Sequence, residues 1–196
     1  SEKIITNAPI GKSNVKFCCV RFGNVLASSG SVIPIFKKQI AEGNTITITS
    51  KKMTRFFMSL YDAVKLVLKS ANLVKGGETF ILKMDALRIT DLAEVLVDEL
   101  APKYGKSPNE IKYKIIGRRA GEKLDESLMS EEEAEYMIEL EDMIVLRNSL
   151  LSNYVLGKSL KKNSNVKITS YSSNNVKLLT KKEIKKLIYV KKILKE

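Results

Sequence analysis

Strand and helix signals alternate along most of this chain, and the alternation restricts the fold more than any other feature of the sequence. Short β-branched runs are separated by longer segments with helical apolar spacing. This order is typical of an α/β domain with parallel strand pairing. The predicted strands are Val15–Val20, Thr45–Thr49, Glu78–Leu82 and Ile111–Ile116, and the predicted helices are Val32–Glu42, Asp62–Leu73, Thr90–Leu100 and Glu131–Glu141.

Two of the predicted helices carry recognisable start signals. Thr90 is expected to cap the third helix. Ser130 and Glu133 have the spacing of a capping box, so the acidic segment Glu131–Glu141 is expected to be helical throughout.

Histidine is absent from the 196 residues, which excludes Ser-His-Asp chemistry and histidine-based metal sites. The cysteines, Cys18 and Cys19, are neighbours in a predicted strand and cannot supply a four-ligand zinc cluster. We expect no metal site and no disulfide between them. No apolar run approaches the roughly 20 residues of a membrane span, and the first residues lack a signal-peptide pattern. A cytoplasmic protein without a membrane span is therefore expected.

The net charge of +12 is concentrated near the C-terminus. Residues 157–196 contain 12 lysines and two glutamates, whereas residues 1–156 contain 22 basic and 20 acidic groups. Such a segment could bind nucleic acid or an anionic membrane surface. Apolar residues recur there at near-helical spacing, so a docked amphipathic helix with a solvated lysine face is the preferred interpretation. These residues are Ile184, Leu187, Ile188 and Leu194.

Polar residues follow several of the predicted strands. Arg21 and Asn24 flank Gly23 after the first strand, where open α/β sheets bind ligands and where a glycine lets the backbone come close. Arg55 follows the second strand, and Arg119 with Glu122 follows the strand at Ile111–Ile116. Guanidinium groups suit a diphosphate, and a carboxylate can accept from ribose hydroxyls. Surface ion pairing is the alternative explanation for each charged residue.

Four motifs stand out along the chain, namely Val20–Val25, Gly30–Pro34, Met53–Met58 and Gly121–Leu124. Their order and separations resemble one branch of the extended short-chain dehydrogenase/reductases. That branch contains the UDP-N-acetylglucosamine 4,6-dehydratases and related nucleotide-sugar epimerases of surface-polysaccharide synthesis. The resemblance covers about residues 15–146 and resumes over residues 169–180.

The resemblance implies a UDP-sugar subsite. Asn24 would bind the diphosphate or the sugar, Arg55 and Arg119 would hold the phosphates, and Glu122 would bind the uridine ribose. The family commonly has proline after the first residue of its Arg-Pro-Gly-Asp/Glu motif, where this chain has Ala120. The change frees φ but keeps both charged partners.

The resemblance also implies a role for the second predicted strand. The backbone around Ile46 and Thr47 would face the uracil edge. A UDP-sugar is thus the expected partner, with a homo-oligomer in the intact enzyme and no nucleic acid.

The catalytic and cofactor motifs of the family are missing from these residues. The family binds NAD or NADP through a Gly-x-x-Gly-x-x-Gly turn, and no glycines here have that spacing. Its catalytic Tyr-x-x-x-Lys precedes the first strand described here, and residues 1–14 lack it. Two lookalikes, Tyr61 with Lys65 and Tyr154 with Lys158, lie downstream of that strand and are rejected. No catalytic residue is assigned.

We therefore expect the C-terminal part of an extended short-chain dehydrogenase/reductase. Residues 1–30 would end the cofactor-binding sheet, residues 31–150 would form the UDP-sugar domain interleaved with the last Rossmann strand, and residues 151–196 would be a lysine-rich extension. The expected function is a fragment of a UDP-N-acetylglucosamine 4,6-dehydratase or epimerase, inactive alone. A non-catalytic UDP-sugar-binding module, or a partner of a separate N-terminal half, is the alternative. A lysine-driven nucleic-acid or membrane-surface binder ranks third.

Overall fold

The computed structural model describes residues 1–8, 15–26, 28, 30–147 and 168–190. Their contacts group into two compact units, each formed by three separate stretches of chain. Unit 1 comprises Ser1–Phe22, Leu60–Lys83 and Ser127–Ser172. Unit 2 comprises Gly23–Ser59, Met84–Glu126 and Ser173–Glu196. The predicted division at residues 30 and 150 stays a prediction.

The elements alternate over the body of the chain. The helices are α1 (Glu2–Thr6), α2 (Val32–Glu42), α3 (Leu60–Leu73), α4 (Ile89–Leu100), α5 (Glu131–Ala134) and α6 (Lys181–Val190), with short 3-10 turns at Ala101–Tyr104 and Pro108–Glu110. The strands are β1 (Cys18–Arg21), β2 (Asn24–Val25), β3 (Thr45–Ile48), β4 (Thr54–Met58), β5 (Glu78–Leu82), β6 (Ala86–Arg88), β7 (Lys112–Ile115), β8 (Ser127–Met129), β9 (Met137–Glu139), β10 (Met143–Leu146) and β11 (Tyr171–Ser172).

Unit 1 is built on a sheet with strand order β1-β5-β10-β9. Strands β1 and β5 pair in parallel, whereas β10 pairs antiparallel with both β5 and β9. Helix α3 contacts β1 and β5 and places Leu66 in the core of this unit. A buried apolar cluster of this unit contains Leu66, Phe80, Ile138, Leu140, Met143 and Val145.

Unit 2 contains two smaller sheets, β2-β4-β6 and β3-β7. Strand β4 pairs in parallel with β2 and antiparallel with β6, and β3 pairs in parallel with β7. The core of unit 2 is formed by β3 and by one face each of α2, α4 and α6. Its fully buried side chains include Ile33, Phe36, Ile40, Ile46, Leu92 and Leu96.

The predicted α/β class is confirmed, and two elements have the predicted bounds. Helix α2 covers Val32–Glu42 and β5 covers Glu78–Leu82. The first strand is shorter and shifted, at Cys18–Arg21. Helix α4 begins at Ile89 with Arg88 as its N-cap, so the expectation that Thr90 caps it is wrong. Strand β6 ends at Arg88 and leads directly into the helix, which leaves no separate capping turn.

The predicted helix at Glu131–Glu141 is wrong beyond its first turn. The capping box forms as expected, since Ser130 accepts from the Glu133 N–H and the Glu133 carboxylate accepts from the Ser130 N–H. Helix α5 nevertheless ends at Ala134, and Met137–Glu139 forms β9 beside β10. Strand pairing and burial of Ile138 outweigh the local helix signal.

The lysine-rich C-terminal segment forms a docked amphipathic helix, as predicted. Ile184 and Ile188 of α6 are fully buried in the unit 2 core, and Leu187 packs against it. Lys181 pairs with Glu94 and Lys185 with Glu99, both acidic residues on α4. Other predicted features lie outside the described residues, namely Leu194, the Tyr154 and Lys158 pair, and residues 157–167.

Within the described residues, no helix is both long enough and apolar enough to cross a bilayer. Cys18 and Cys19 are free thiols of intermediate exposure. Burial, followed by the nearby Glu78 carboxylate, raises the pKa of Cys18. The raised pKa keeps this thiol protonated and weakly nucleophilic at neutral pH.

Candidate functional site

The loop formed by residues 117–126, hereafter the 117–126 loop, carries two of the predicted site residues and is held against strand β4. Arg55 on β4 is 9% exposed. Its Nη1 donates 2.7 Å hydrogen bonds to the carbonyls of Thr54 and Leu124. Its Nη2 donates a 2.7 Å hydrogen bond to the carbonyl of Lys123. One buried guanidinium thus fixes two consecutive carbonyls of the loop.

This arrangement limits what else Arg55 can bind. A guanidinium has five N–H donors, three of which here serve backbone carbonyls. Its Nε lies 3.6 Å from Oε1 of Glu126. Burial raises the pKa of Glu126, while the charge of Arg55 opposes that rise. Among the described residues, one Nη2 hydrogen has no protein acceptor, so holding the loop is the main structural task of Arg55.

Arg119 and Glu122 are brought together at the tip of the 117–126 loop. The backbone N–H of Glu122 donates to the Arg119 carbonyl at 3.1 Å. The Arg119 N–H in turn donates to Oε2 of Glu122 at 3.1 Å. Gly121, at φ 81°, adopts a left-handed conformation that a glycine reaches without strain, and this closes the turn. Arg119 is exposed and Glu122 is half-buried.

Strand β3 adjoins this loop at its C-terminal end. The Thr49 hydroxyl, one residue beyond β3, lies 3.5 Å from Oε1 of Glu122. Thr47 is engaged by Gln39 of α2, whose Nε2 donates to the Thr47 hydroxyl at 2.7 Å and whose Oε1 accepts from the Thr47 N–H at 3.0 Å. The Ile46 side chain is fully buried in the core. Both residues predicted to face the uracil therefore lie on a strand that ends beside Glu122.

Asn24 reaches the same sheet as Arg55 through strand pairing. It lies on β2 opposite Phe57, two residues beyond Arg55 on β4. The interpretation of Gly23 as a place for close ligand approach is wrong. A Cβ at Gly23 would lie 2.9 Å from Cβ of Phe56 and 3.1 Å from the Met84 sulfur. The missing side chain admits protein atoms rather than a ligand.

The interpretation of Arg21 as a ligand-binding partner of Asn24 is also wrong. Arg21 lies in unit 1. Its Nη1 donates to the Leu128 carbonyl at 2.6 Å and to the Glu133 carboxylate at 2.8 Å. Its Nη2 donates to Glu133 at 2.6 Å, and its Nε donates to Glu2 at 3.0 Å. A further Nη2 bond to Glu2 engages the fifth donor. Hydrogen bonds from Arg21 lower the pKa of Glu133 and raise that of Arg21. This arginine links β1 to α1, β8 and α5.

Several polar residues around the loop were not singled out from the sequence. Thr54 donates to Oδ1 of Asp125 at 2.8 Å, and its hydroxyl lies 2.8 Å from that of Ser173. Gln39 holds β3, as described above. No spacing rule connects these residues, because 119 positions separate Thr54 from Ser173. Only the resumption of family resemblance at residues 169–180 pointed to this part of the chain.

The parallel strand pairs with helices between them agree with the fold expected of an extended short-chain dehydrogenase/reductase. Residues 1–148 match the family described as polysaccharide biosynthesis protein, and the chain belongs to that family.

Solved and curated relatives agree with this assignment. The structure named Pen from Bacillus thuringiensis superposes with a TM-score of 0.84 at 38% identity, covering 98% of this chain and 55% of that one. A UDP-N-acetylglucosamine 4,6-dehydratase (inverting) of Campylobacter jejuni is 37% identical over 94% of this chain and 54% of its own length. A Methanocaldococcus jannaschii protein named an uncharacterized membrane protein is 50% identical over 96% of this chain and 54% of its own length. The chain spans about half the length of these relatives.

Proposed function

We propose that this chain forms the UDP-sugar-binding part of a UDP-N-acetylglucosamine 4,6-dehydratase, or of a related nucleotide-sugar epimerase, in surface-polysaccharide synthesis. The observation that carries the proposal is the turn that joins Arg119, which is exposed, to Glu122, which is half-buried, through two backbone N–H hydrogen bonds. Sequence identity of 37% to a curated 4,6-dehydratase over nearly the whole chain supports the substrate class.

Each side chain at the site has chemistry that suits a nucleoside diphosphate. The exposed Arg119 guanidinium can hold phosphate oxygens with two parallel hydrogen bonds. Oε1 of Glu122 has a long 3.5 Å contact to the Thr49 hydroxyl, which leaves it able to accept from a ribose hydroxyl. The remaining Nη2 hydrogen of Arg55 and the amide of Asn24 are assigned to the diphosphate and the sugar.

The uracil is assigned to the edge of β3. The N–H of Thr47 already donates to Gln39, so the recognition of the base falls to other backbone groups of the Ile46–Thr47 segment. Gln39 fixes the position of this segment through two hydrogen bonds. A binding site can discriminate uracil from other bases when the backbone groups that face the base are held in fixed positions.

Catalysis is assigned to residues outside this chain. The glycines present do not fit the turn that holds NAD or NADP in the family, so none is assigned to a cofactor. The Tyr-x-x-x-Lys motif is also absent from the positions where the family has it. We propose that the intact enzyme is cytoplasmic and homo-oligomeric, and that the isolated chain binds UDP-sugar without turnover.

Isothermal titration of the chain with UDP-N-acetylglucosamine, UDP and ADP tests the proposal. ADP keeps the ribose and the diphosphate and changes only the base. We expect UDP and UDP-N-acetylglucosamine to bind and ADP to bind at least about tenfold more weakly. Absence of UDP binding at millimolar concentration, or equal binding of ADP, would contradict the proposed function. Turnover of UDP-N-acetylglucosamine by the isolated chain would contradict the assignment of catalysis elsewhere.

A further inference from the structure

Ser173 is buried beside the 117–126 loop and makes contacts on both its backbone and its side chain. The residue is 0% exposed. Its hydroxyl accepts from the Glu126 N–H at 2.9 Å and lies 2.8 Å from the Thr54 hydroxyl. Its own N–H donates to the Glu126 carbonyl at 2.8 Å. A residue from the segment before α6 therefore pairs with the last residue of the loop.

Ser173, Thr54, Asp125 and Asn174 form a hydrogen-bonded cluster. The direction of each hydrogen bond follows from the number of hydrogens that each side chain can donate. Thr54 has one hydroxyl hydrogen, and it donates this hydrogen to Oδ1 of Asp125, 2.8 Å away. The Ser173 hydroxyl must then donate towards Thr54, whose Oγ1 is 2.8 Å and whose carbonyl is 3.2 Å away. Asn174 donates to the other oxygen of Asp125 at 3.1 Å. The cluster is a directed chain from Ser173 through Thr54 to Asp125.

The cluster fixes one end of the loop, while Arg55 fixes the stretch just before it. Arg55 donates to the carbonyls of Lys123 and Leu124, and the Thr54 N–H donates to the Leu124 carbonyl at 3.1 Å. Glu122 directly precedes these fixed carbonyls. Thr54 and Ser173, the two hydroxyl residues of this network, are buried. A paired polar network with a buried centre favours one geometry over near alternatives, because each displaced partner would leave a polar group unpaired.

We propose that Ser173 is a positioning residue for nucleotide binding, acting through the 117–126 loop on Arg119 and Glu122. This inference rests on the proposed function. If Ser173 has this role, the segment that leads into α6 belongs to the UDP site, although this segment makes no direct contact with the ligand.

The test is UDP affinity of the full chain, measured by titration calorimetry, for Ser173→Ala and for Ser70→Ala. Ser70 is a matched control, because it is also a buried serine (1% exposed) and its hydroxyl donates only to the carbonyl of Leu66 in its own helix. We expect Ser173→Ala to weaken UDP binding about tenfold and Ser70→Ala to change it by less than about twofold. Wild-type affinity in the Ser173→Ala chain would overturn the inference.

A double-mutant cycle with Arg119→Ala distinguishes positioning from general destabilisation. If Ser173 acts through the loop that carries Arg119, its substitution should weaken binding much less when Arg119 is already absent. If the losses of UDP affinity from the two substitutions are additive, the inference is overturned and the proposed function is left intact. If the wild-type chain does not bind UDP, the proposed function itself is refuted. If Ser173→Ala does not fold, Asn174→Ala removes an exposed member of the same cluster, and the same two outcomes apply.

Discussion

Nη1 of Arg55 donates a 2.7 Å hydrogen bond to the carbonyl oxygen of Leu124, 69 residues further along the chain. The bond joins strand β4 to the 117–126 loop within unit 2. Since this loop carries the exposed Arg119, the position of the Arg119 charge at the surface depends on the buried guanidinium of Arg55.

Replacement of Arg55 by lysine keeps the charge but removes the planar group that serves three carbonyls. An ammonium on a single stem cannot reproduce that geometry, so buried carbonyls lose partners. We expect Arg55→Lys to lower the free energy of unfolding by about 2 kcal/mol, measured by urea denaturation. Arg88→Lys is the control, because Arg88 is half-exposed and its ion pair with Asp91 is 4.0 Å long. Equal effects of the two substitutions would contradict the role assigned to Arg55.

Gly23→Ala should destabilise unit 2. A methyl group there would approach Cβ of Phe56 to 2.9 Å, so the buried packing around Phe56 would have to shift. We expect a loss of about 1–3 kcal/mol of unfolding free energy. Gly43→Ala is the matched control, since its nearest neighbour is the Gln39 carbonyl at 3.5 Å. If the two variants were equally stable, Gly23 would have no packing role.

Truncation of Ile188 tests the docking of α6. The side chain is 1% exposed, so Ile188→Ala should create a cavity and cost about 2–4 kcal/mol. Val190→Ala, on the same helix at 65% exposure, should change stability by less than about 0.5 kcal/mol. Thermal unfolding followed by circular dichroism measures both. Equal stabilities would mean that α6 does not pack on the unit 2 core.

The Arg21–Glu133 pair predicts a specific pH dependence of stability. The pKa of Glu133 is lowered in the folded chain by its hydrogen bond from Arg21, relative to about 4.3 for an unfolded glutamate. The folded state therefore gains stability above that unfolded pKa and loses it as the pH falls through the lowered pKa.

The Glu133→Gln variant should show this difference. We expect it to be about 1 kcal/mol less stable than wild type near pH 7, because the pair is partly screened by solvent. The gap should narrow progressively as the pH falls below about 4. The exposed Glu135→Gln serves as the control. A gap that is constant from pH 7 to pH 3 would contradict the assigned pairing.

Sequence patterns predicted the elements whose signals are local. Helix α2 and strand β5 have the predicted bounds because periodicity and turn residues agree there. Helix α6 was predicted because its apolar spacing shows one buried face. The segment after Ala134 was mispredicted because β9 is stabilised by its pairing with β10, a partner that local spacing does not reveal.

The sequence predicted which residues belong to the candidate site better than it predicted the contacts that those residues make. Motifs identified Arg119 and Glu122, and the structure brings these two together on one turn. The same kind of reasoning gave Arg21 a ligand role, although all five of its donors serve protein acceptors. The contribution of Ser173 depends on a contact across 119 residues, which no local pattern encodes.

The most direct test of the central claim compares two neighbouring arginines of the 117–126 loop. Both Arg118 and Arg119 are exposed, and only Arg119 makes the turn with Glu122. Calorimetric titration with UDP should show at least about tenfold weaker binding for Arg119→Ala and a change of less than about twofold for Arg118→Ala. Equal affinities of the two variants, whether both weakened or both unchanged, would contradict the account.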